Sequence, residues 1–170
     1  SNAQVLHGYW GWRSSDVLIH ALPMFHVHGL FVAIHGALLS GSRMLWHKRF
    51  DPVRVLNDLP RATVMMGVPT FYTRLLALPG LSHSACASMR LFISGSAPML
   101  VDTFEQWKAR TGHTVLERYG MSETVMLTSN PYAPDDRYAG ASQRIGGSVG
   151  FALPGVQVRI MSEDGKPALP

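Results

Sequence analysis

The sequence predicts an α/β fold: a mostly parallel sheet flanked by helices, with a small antiparallel β element at the C-terminal end. Two observations carry this. Short apolar runs of strand length trade places about five times with segments of helical character, across short loops. That is the pattern of βα units. Beyond residue 146 the character changes to turn glycines and alternating apolar residues.

Each element has a local reason. "DVLIHAL" (16–22) is a continuous apolar run, expected as a buried strand. "HGLFVAIHGALLSG" (28–41) is apolar all round and closes at Gly41, which predicts a buried helix. "SRMLWHK" (42–48) returns as a strand. "DPVRVLNDL" (51–59) opens on an Asp cap followed by Pro, the signature of a helix start. "ATVMMGV" (62–68) reads as a strand, and "PTFYTRLLAL" (69–78) as a helix that Pro79-Gly80 ends. "MRLFIS" (89–94) is a strand, and "PMLVDTFEQWKARTG" (98–112) a helix with a glycine stop. "TVLERY" (114–119) is the last strand of the alternation, with "YGMSET" at the turn beyond it. "MLTSNPYAPDD" (126–136) reads as an irregular polar run, 129–148 as a long surface loop, and 156–161 as an alternating strand.

The length of 170 residues suits one domain with a sizeable core. Hydrophobic residues make up 46% and charged residues 15%, which excludes a disordered chain. The net charge of +4 comes from scattered basic residues. It suits an anionic ligand, and no basic run points to nucleic acid. One cysteine, Cys86, excludes an internal disulfide and any multi-cysteine metal site. A reducing, cytoplasmic setting is the expectation. No apolar run is long enough to span a bilayer. "SNA" (1–3) reads as an expression-tag scar, and 4–170 as an internal piece of a longer chain.

In open α/β sheets, ligands bind beyond the carboxyl ends of the strands. Four segments fall there: "LPMFHVHG" (22–29), "GVPT" (67–70), "SGSAPM" (94–99) and "YGMSET" (119–124). Gly95, Ser96 and Ala97 suit a planar ligand lying against bare backbone, though taken alone they favour a tight βα turn that needs small residues for packing. Tyr119 offers a ring for stacking, Ser122 a hydroxyl for a phosphate, and Glu123 an oxygen ligand for Mg²⁺. A capped turn would use the same residues. His26 and His28 lack the ligand set that zinc requires, so they read as pocket imidazoles or core histidines. Arg74 stands among Phe71, Tyr72, Leu75 and Leu76. It either reaches solvent or needs a buried anionic partner. No G-x-G-x-x-G opens a helix after a strand, which speaks against a dinucleotide binder.

"ALPMFHVHGL", "GVPTFYTRLL", "ISGSAPM", "ERYGMSET" and "GSVGFALPGVQVRI" stand in the order and spacing of the adenylate-forming acyl-CoA synthetase superfamily. The chain resembles that family over nearly its whole length, and within it the malonyl-CoA synthetase branch. The resemblance implies ATP or AMP, Mg²⁺ and coenzyme A as ligands. A small carboxylic acid, malonate in that branch, is the substrate. It implies that Tyr119, Gly120 and the Gly95–Ala97 backbone hold the nucleotide. Ser122, where the family more often has threonine, would meet the α-phosphate, and Glu123 would hold Mg²⁺. His26 would gate the acyl pocket, with His28 and Met121 lining it. Arg74 and Ser96 would hold the distal carboxylate. The family's Ser/Thr/Gly-rich phosphate loop and the catalytic lysine of its C-terminal domain have no counterpart here. An internal segment of the large domain, inactive alone, is therefore expected. A ligase for another short, fatty or aryl acid, or a non-catalytic nucleotide-binding module, is the alternative.

Overall fold

The computed structural model describes residues 1–133 and 143–167. The chain begins with α1 (Asn2–Tyr9) and β1 (Val17–His20). A π-helical segment (His28–Ile34) then runs straight on into α2 (His35–Ser40). Next come β2 (Arg43–Trp46), α3 (Pro52–Asp58), β3 (Val64–Gly67), α4 (Pro69–Leu76) and β4 (Leu91–Ser94). The chain continues through α5 (Val101–Thr111), β5 (Val115–Met121), β6 (Val125–Ser129) and β7 (Phe151–Ala152). The strands form one sheet in the order β2-β1-β3-β4-β5-β6-β7. The first five in that order pair in parallel, and β5, β6 and β7 pair antiparallel. The α/β expectation, with its antiparallel end, is what the sheet displays.

Strand alternation builds two cores. Val17, Ile19, Met65, Phe92 and Val115 face the side covered by α3, α4 and α5. There Tyr72, Phe92 and Trp107 meet edge to face, with ring centroids 4.9 to 6.5 Å apart. Leu18, Val64, Met66, Leu91, Ile93 and Leu116 face the opposite side, packed with Trp10, Trp12, Val32 and Ala37. Burial on both faces explains why these strands are apolar without alternation. Asp51 caps α3 by accepting from the amides of Val53 and Arg54 at 3.0 and 3.1 Å. Gly41 and Gly112 end α2 and α5 at φ of 66° and 77°.

Four local expectations are corrected. Residues 126–129, expected as part of an irregular polar run, belong to β6. Their polar Thr128 and Ser129 are buried by pairing with β5 and β7, which their composition does not signal. Residues 156–161 are not a strand. Val158 and Ile160 are exposed, and only Met161 makes a bridge, to Pro167. The helix expected from residue 98 starts at Val101, because the Met99 amide is drawn to the Glu117 carboxylate. The first part of the 28–41 helix is π-wound, with Gly29 so close to the Pro23 carbonyl that a Cβ would collide with it. The surface loop expected at 129–148 lies partly outside the described residues. Asn2, set aside as scar, opens α1, and its side-chain amide donates to the Met126 carbonyl at 2.8 Å.

Asp16 ties the amino ends of the central strands together. Its carboxylate accepts from Arg90 Nε, Thr63 Oγ1 and the Arg13 amide, each at 2.8 Å. Burial alone would raise its pKa, but these bonds and the Arg90 charge outweigh burial and hold it below 3.8. A depressed carboxyl contributes stability above its unfolded pKa and loses it as pH falls through the folded value. Asp16→Ala should therefore lower the free energy of urea unfolding at pH 7 by about 3 kcal/mol, because Arg90 is left half-buried without its anion. The same substitution should flatten the loss of stability below pH 4.

Candidate active site

The carboxyl ends of β1, β4 and β5 open onto one cavity of about 940 Å³, large enough for a nucleotide with a small acid. All four segments expected at this edge contribute to it, 22–29 in full and the others through Val68, Ser96 and 120–123. Trp46, Phe50 and Phe71 supply an aromatic wall, with Phe50 stacked on Phe71 at 3.7 Å. His47, Lys48 and Arg49 border the same wall, and His47 Nε2 meets Asp58 at 2.8 Å.

The "YGMSET" residues lie on a hairpin. β5 continues through Tyr119 to Met121, a turn spans Ser122–Thr124, and β6 returns from Val125. The register slips between Tyr119 and Gly120. That bulge brings the Val125 carbonyl against Gly120 Cα, where any Cβ would collide. Val125 itself stands at φ 62°, a costly conformation for a β-branched residue. Tyr119, Met121, Ser122 and Glu123 are all exposed at this tip. A lone exposed carboxylate such as Glu123 fits Mg²⁺, which keeps several waters and takes one or two protein oxygens beside a phosphate. Among the described residues no cluster of three or more metal-ligating side chains exists.

The Gly95–Ala97 turn has a second reason for its small residues. The Arg118 guanidinium lies directly across Gly95, in the space a Cβ would take. Ser96 stands at φ 67° with its hydroxyl 3.3 Å from His28 Nδ1, and both Ser96 and Ala97 are exposed. His28 is buried, and its Nε2 has no partner. Burial, then the charges of Arg118 and His20, hold His28 well below its ordinary pKa, so it is neutral at pH 7. His26 is exposed, with its ring 4.5 Å from that of Phe25.

Arg118 was not singled out by the sequence. It is 3% exposed, and neither Nε nor the NH2 nitrogen has a hydrogen-bond partner among the described residues. Burial pushes its pKa down to about 10, still charged at pH 7. Arg118 lies behind the cavity rather than in its lining, against Gly95 and close enough to His28 for its charge to act there. A guanidinium buried with two unpaired nitrogens favours an anionic partner. The available signal was the pair of charges, Glu117 and Arg118, inside the strand "TVLERY". Arg74, the expected partner, is exposed on α4 with its guanidinium carbon 5.1 Å from the Phe50 ring centroid, outside the cavity lining.

A mostly parallel sheet whose carboxyl edge opens onto one cavity is the arrangement in which open α/β domains bind their ligands. The profile of the AMP-binding enzyme family matches residues 1–170, and the chain belongs to that family. It is 39% identical over 171 residues to the Homo sapiens mitochondrial malonate–CoA ligase ACSF3, covering 91% of this chain and 28% of that protein. It is 36% identical to the malonate–CoA ligase of Arabidopsis thaliana over 185 residues, covering 96% of this chain and 29% of that protein. Among solved structures, ATP-bound MatB from Rhodopseudomonas palustris superposes with a TM-score of 0.91 at 54% identity, covering 99% of this chain and 32% of that one. A malonyl-CoA ligase complex with methylmalonyl-CoA and AMP does so at 0.77 and 41% identity, covering 91% and 33%. The chain thus spans about three-tenths of the length of these relatives.

The two site glycines should respond differently to a methyl group. Gly95→Ala meets the far end of a flexible side chain and should cost under about 1 kcal/mol. Gly120→Ala meets a backbone carbonyl and should cost about 1–3 kcal/mol. Urea midpoints measured side by side check the difference.

Proposed function

We propose that the complete protein carrying this segment is an ATP-dependent malonate–CoA ligase. The observation that carries the reading is Arg118, buried against Gly95 just behind the cavity with its Nε and NH2 unpartnered among the described residues. The relatives' names agree with it. In the first step, one carboxylate of the acid attacks the α-phosphate of ATP, giving acyl-AMP and pyrophosphate. In the second, the coenzyme A thiol attacks the acyl carbon, loses its proton, and AMP leaves.

Malonate keeps one charge after adenylation, and Arg118 neutralises it, with the Ser96 hydroxyl beside it. Arg74 stands further out, over Phe50, where it favours entry of a doubly charged acid. Tyr119 and the Gly95–Ala97 backbone flank the adenine, with Gly120 allowing close approach. Ser122 donates to the α-phosphate. Glu123 would hold Mg²⁺, which would supply charge neutralisation at the phosphates. Met121 and His28 wall the acyl group, and His26 stands between that group and the thiol. These positions align reactants and stabilise developing charge, which is the protein's main contribution to phosphoryl transfer. A fatty or aryl acid in this site would leave Arg118 buried without a counter-ion, which disfavours it. A cytoplasmic setting is part of the proposal, on the single buried Cys86. The human relative is designated mitochondrial. No helix among the described residues is long and apolar enough to cross a membrane.

Pyrophosphate release by the complete enzyme tests this with malonate, methylmalonate, acetate, octanoate and benzoate. Malonate should dominate, and Arg118→Ala should lower its kcat/KM by about a hundredfold while acetate changes little. Arg74→Ala should cost less than about tenfold, as a rim charge does. Preference for octanoate or benzoate, indifferent to Arg118→Ala, would overturn the assignment.

A further inference from the structure

Glu117 takes a carboxylate into the interior, and no cation among the described residues meets it. It is 4% exposed, and burial raises its pKa against the pull of two backbone amides. Those amides come from two different segments. Oε2 accepts from Met99 N at 3.3 Å, and Oε1 accepts from Gly147 N at 2.8 Å. Met99 lies two residues past Ala97. Glu117 lies two residues before Tyr119 on β5, so both side chains leave the same face of the strand. Asn130 extends the junction. Its amide donates to the Glu117 carbonyl at 3.0 Å and to the Ser148 carbonyl at 2.5 Å, while its Oδ1 accepts from Ile145 N at 3.3 Å.

We propose that Glu117 is a positioning residue for the nucleotide: its carboxylate sets the gap between the Tyr119 ring and the Gly95–Ala97 backbone, and anchors the 145–148 segment to the same strand. This rests on the nucleotide reading of that gap given above. Only an ionised carboxylate supplies two acceptor oxygens at one strand position. Glutamine supplies one and would turn an NH₂ toward the other amide. A buried carboxylate without a cation is costly, and its two-sided acceptance is what the neutral amide lacks. The gap must match the thickness of a flat ring, so loosening either border weakens stacking on both sides.

The test is AMP binding by calorimetry and initial rates with the complete enzyme. The variants are Glu117→Gln and Asn130→Ala, with folding checked by circular dichroism. Glu117→Gln should weaken AMP binding and raise the KM for ATP about tenfold, with the KM for coenzyme A unchanged. Asn130→Ala, which frees the 145–148 border and one bond to the Glu117 carbonyl but leaves the Glu117 carboxylate in place, should do the same to a smaller extent. A folded Glu117→Gln that binds AMP as wild type does, or that lowers affinity for ATP and coenzyme A alike, overturns the proposal. If Glu117→Gln does not fold, Asn130→Ala decides. Selective weakening of AMP supports the inference, and unchanged AMP affinity overturns it. Wild-type enzyme that binds no AMP would instead overturn the nucleotide reading itself.

Discussion

A guanidinium buried beneath a glycine is the constraint on which the rest of the site depends. Arg118 occupies the volume in front of Gly95, so residue 95 has no room for a side chain unless the arginine moves. The chain then passes through Ser96 in a left-handed conformation, which points its hydroxyl at His28. His28 in turn stays neutral, because burial and the Arg118 charge both oppose its protonation. One cation thereby fills the space in front of the glycine and adds to the burial that keeps the histidine neutral. A region so arranged holds an unfavourable charge that an anionic partner would relieve.

The opposite face of β5 has the complementary arrangement. Glu117 is next to Arg118 in sequence but points to the other side of the sheet. The two buried charges are not partners: Glu117 is met by backbone amides and Arg118 by no acceptor at Nε or NH2. Pleating separates them, and so gives one strand an anion-accepting side and an amide-accepting side. Stability comes from elsewhere. The Asp16–Arg90 pair and the aromatic cluster of Tyr72, Phe92 and Trp107 lie away from the cavity, leaving the strand ends free to carry strained and unpaired groups.

The βα alternation was legible because doubly covered strands are short and uniformly apolar, and because Asp51-Pro52, Gly41 and Gly112 mark helix ends through their own backbone chemistry. β6 was not legible. Its threonine and serine resemble loop residues until β5 and β7 supply partners. The 156–161 segment erred the other way: alternation alone does not create a strand without a neighbour to accept its hydrogen bonds. At the carboxyl edge, Ser96, Gly120, Ser122 and Glu123, expected there from their position after predicted strands, line the cavity, and Gly95 and Tyr119 stand next to them in the chain. The burial of Arg118 was not legible, since a charge next to Glu117 near a strand end resembles a surface residue until the sheet is packed.

The sequence by itself determined the class of fold, the edge of the sheet where chemistry gathers, and the polar residues that gather there. Those follow from local periodicity and from residue types whose roles depend on their own backbone. The tertiary structure alone decided which cation is buried without a partner, why Gly95 and Gly120 have no side chain, and which amides the Glu117 carboxylate meets. Each of these depends on atoms brought together from separate strands and loops, and the cost of burying an unpaired charge arises only when that packing exists.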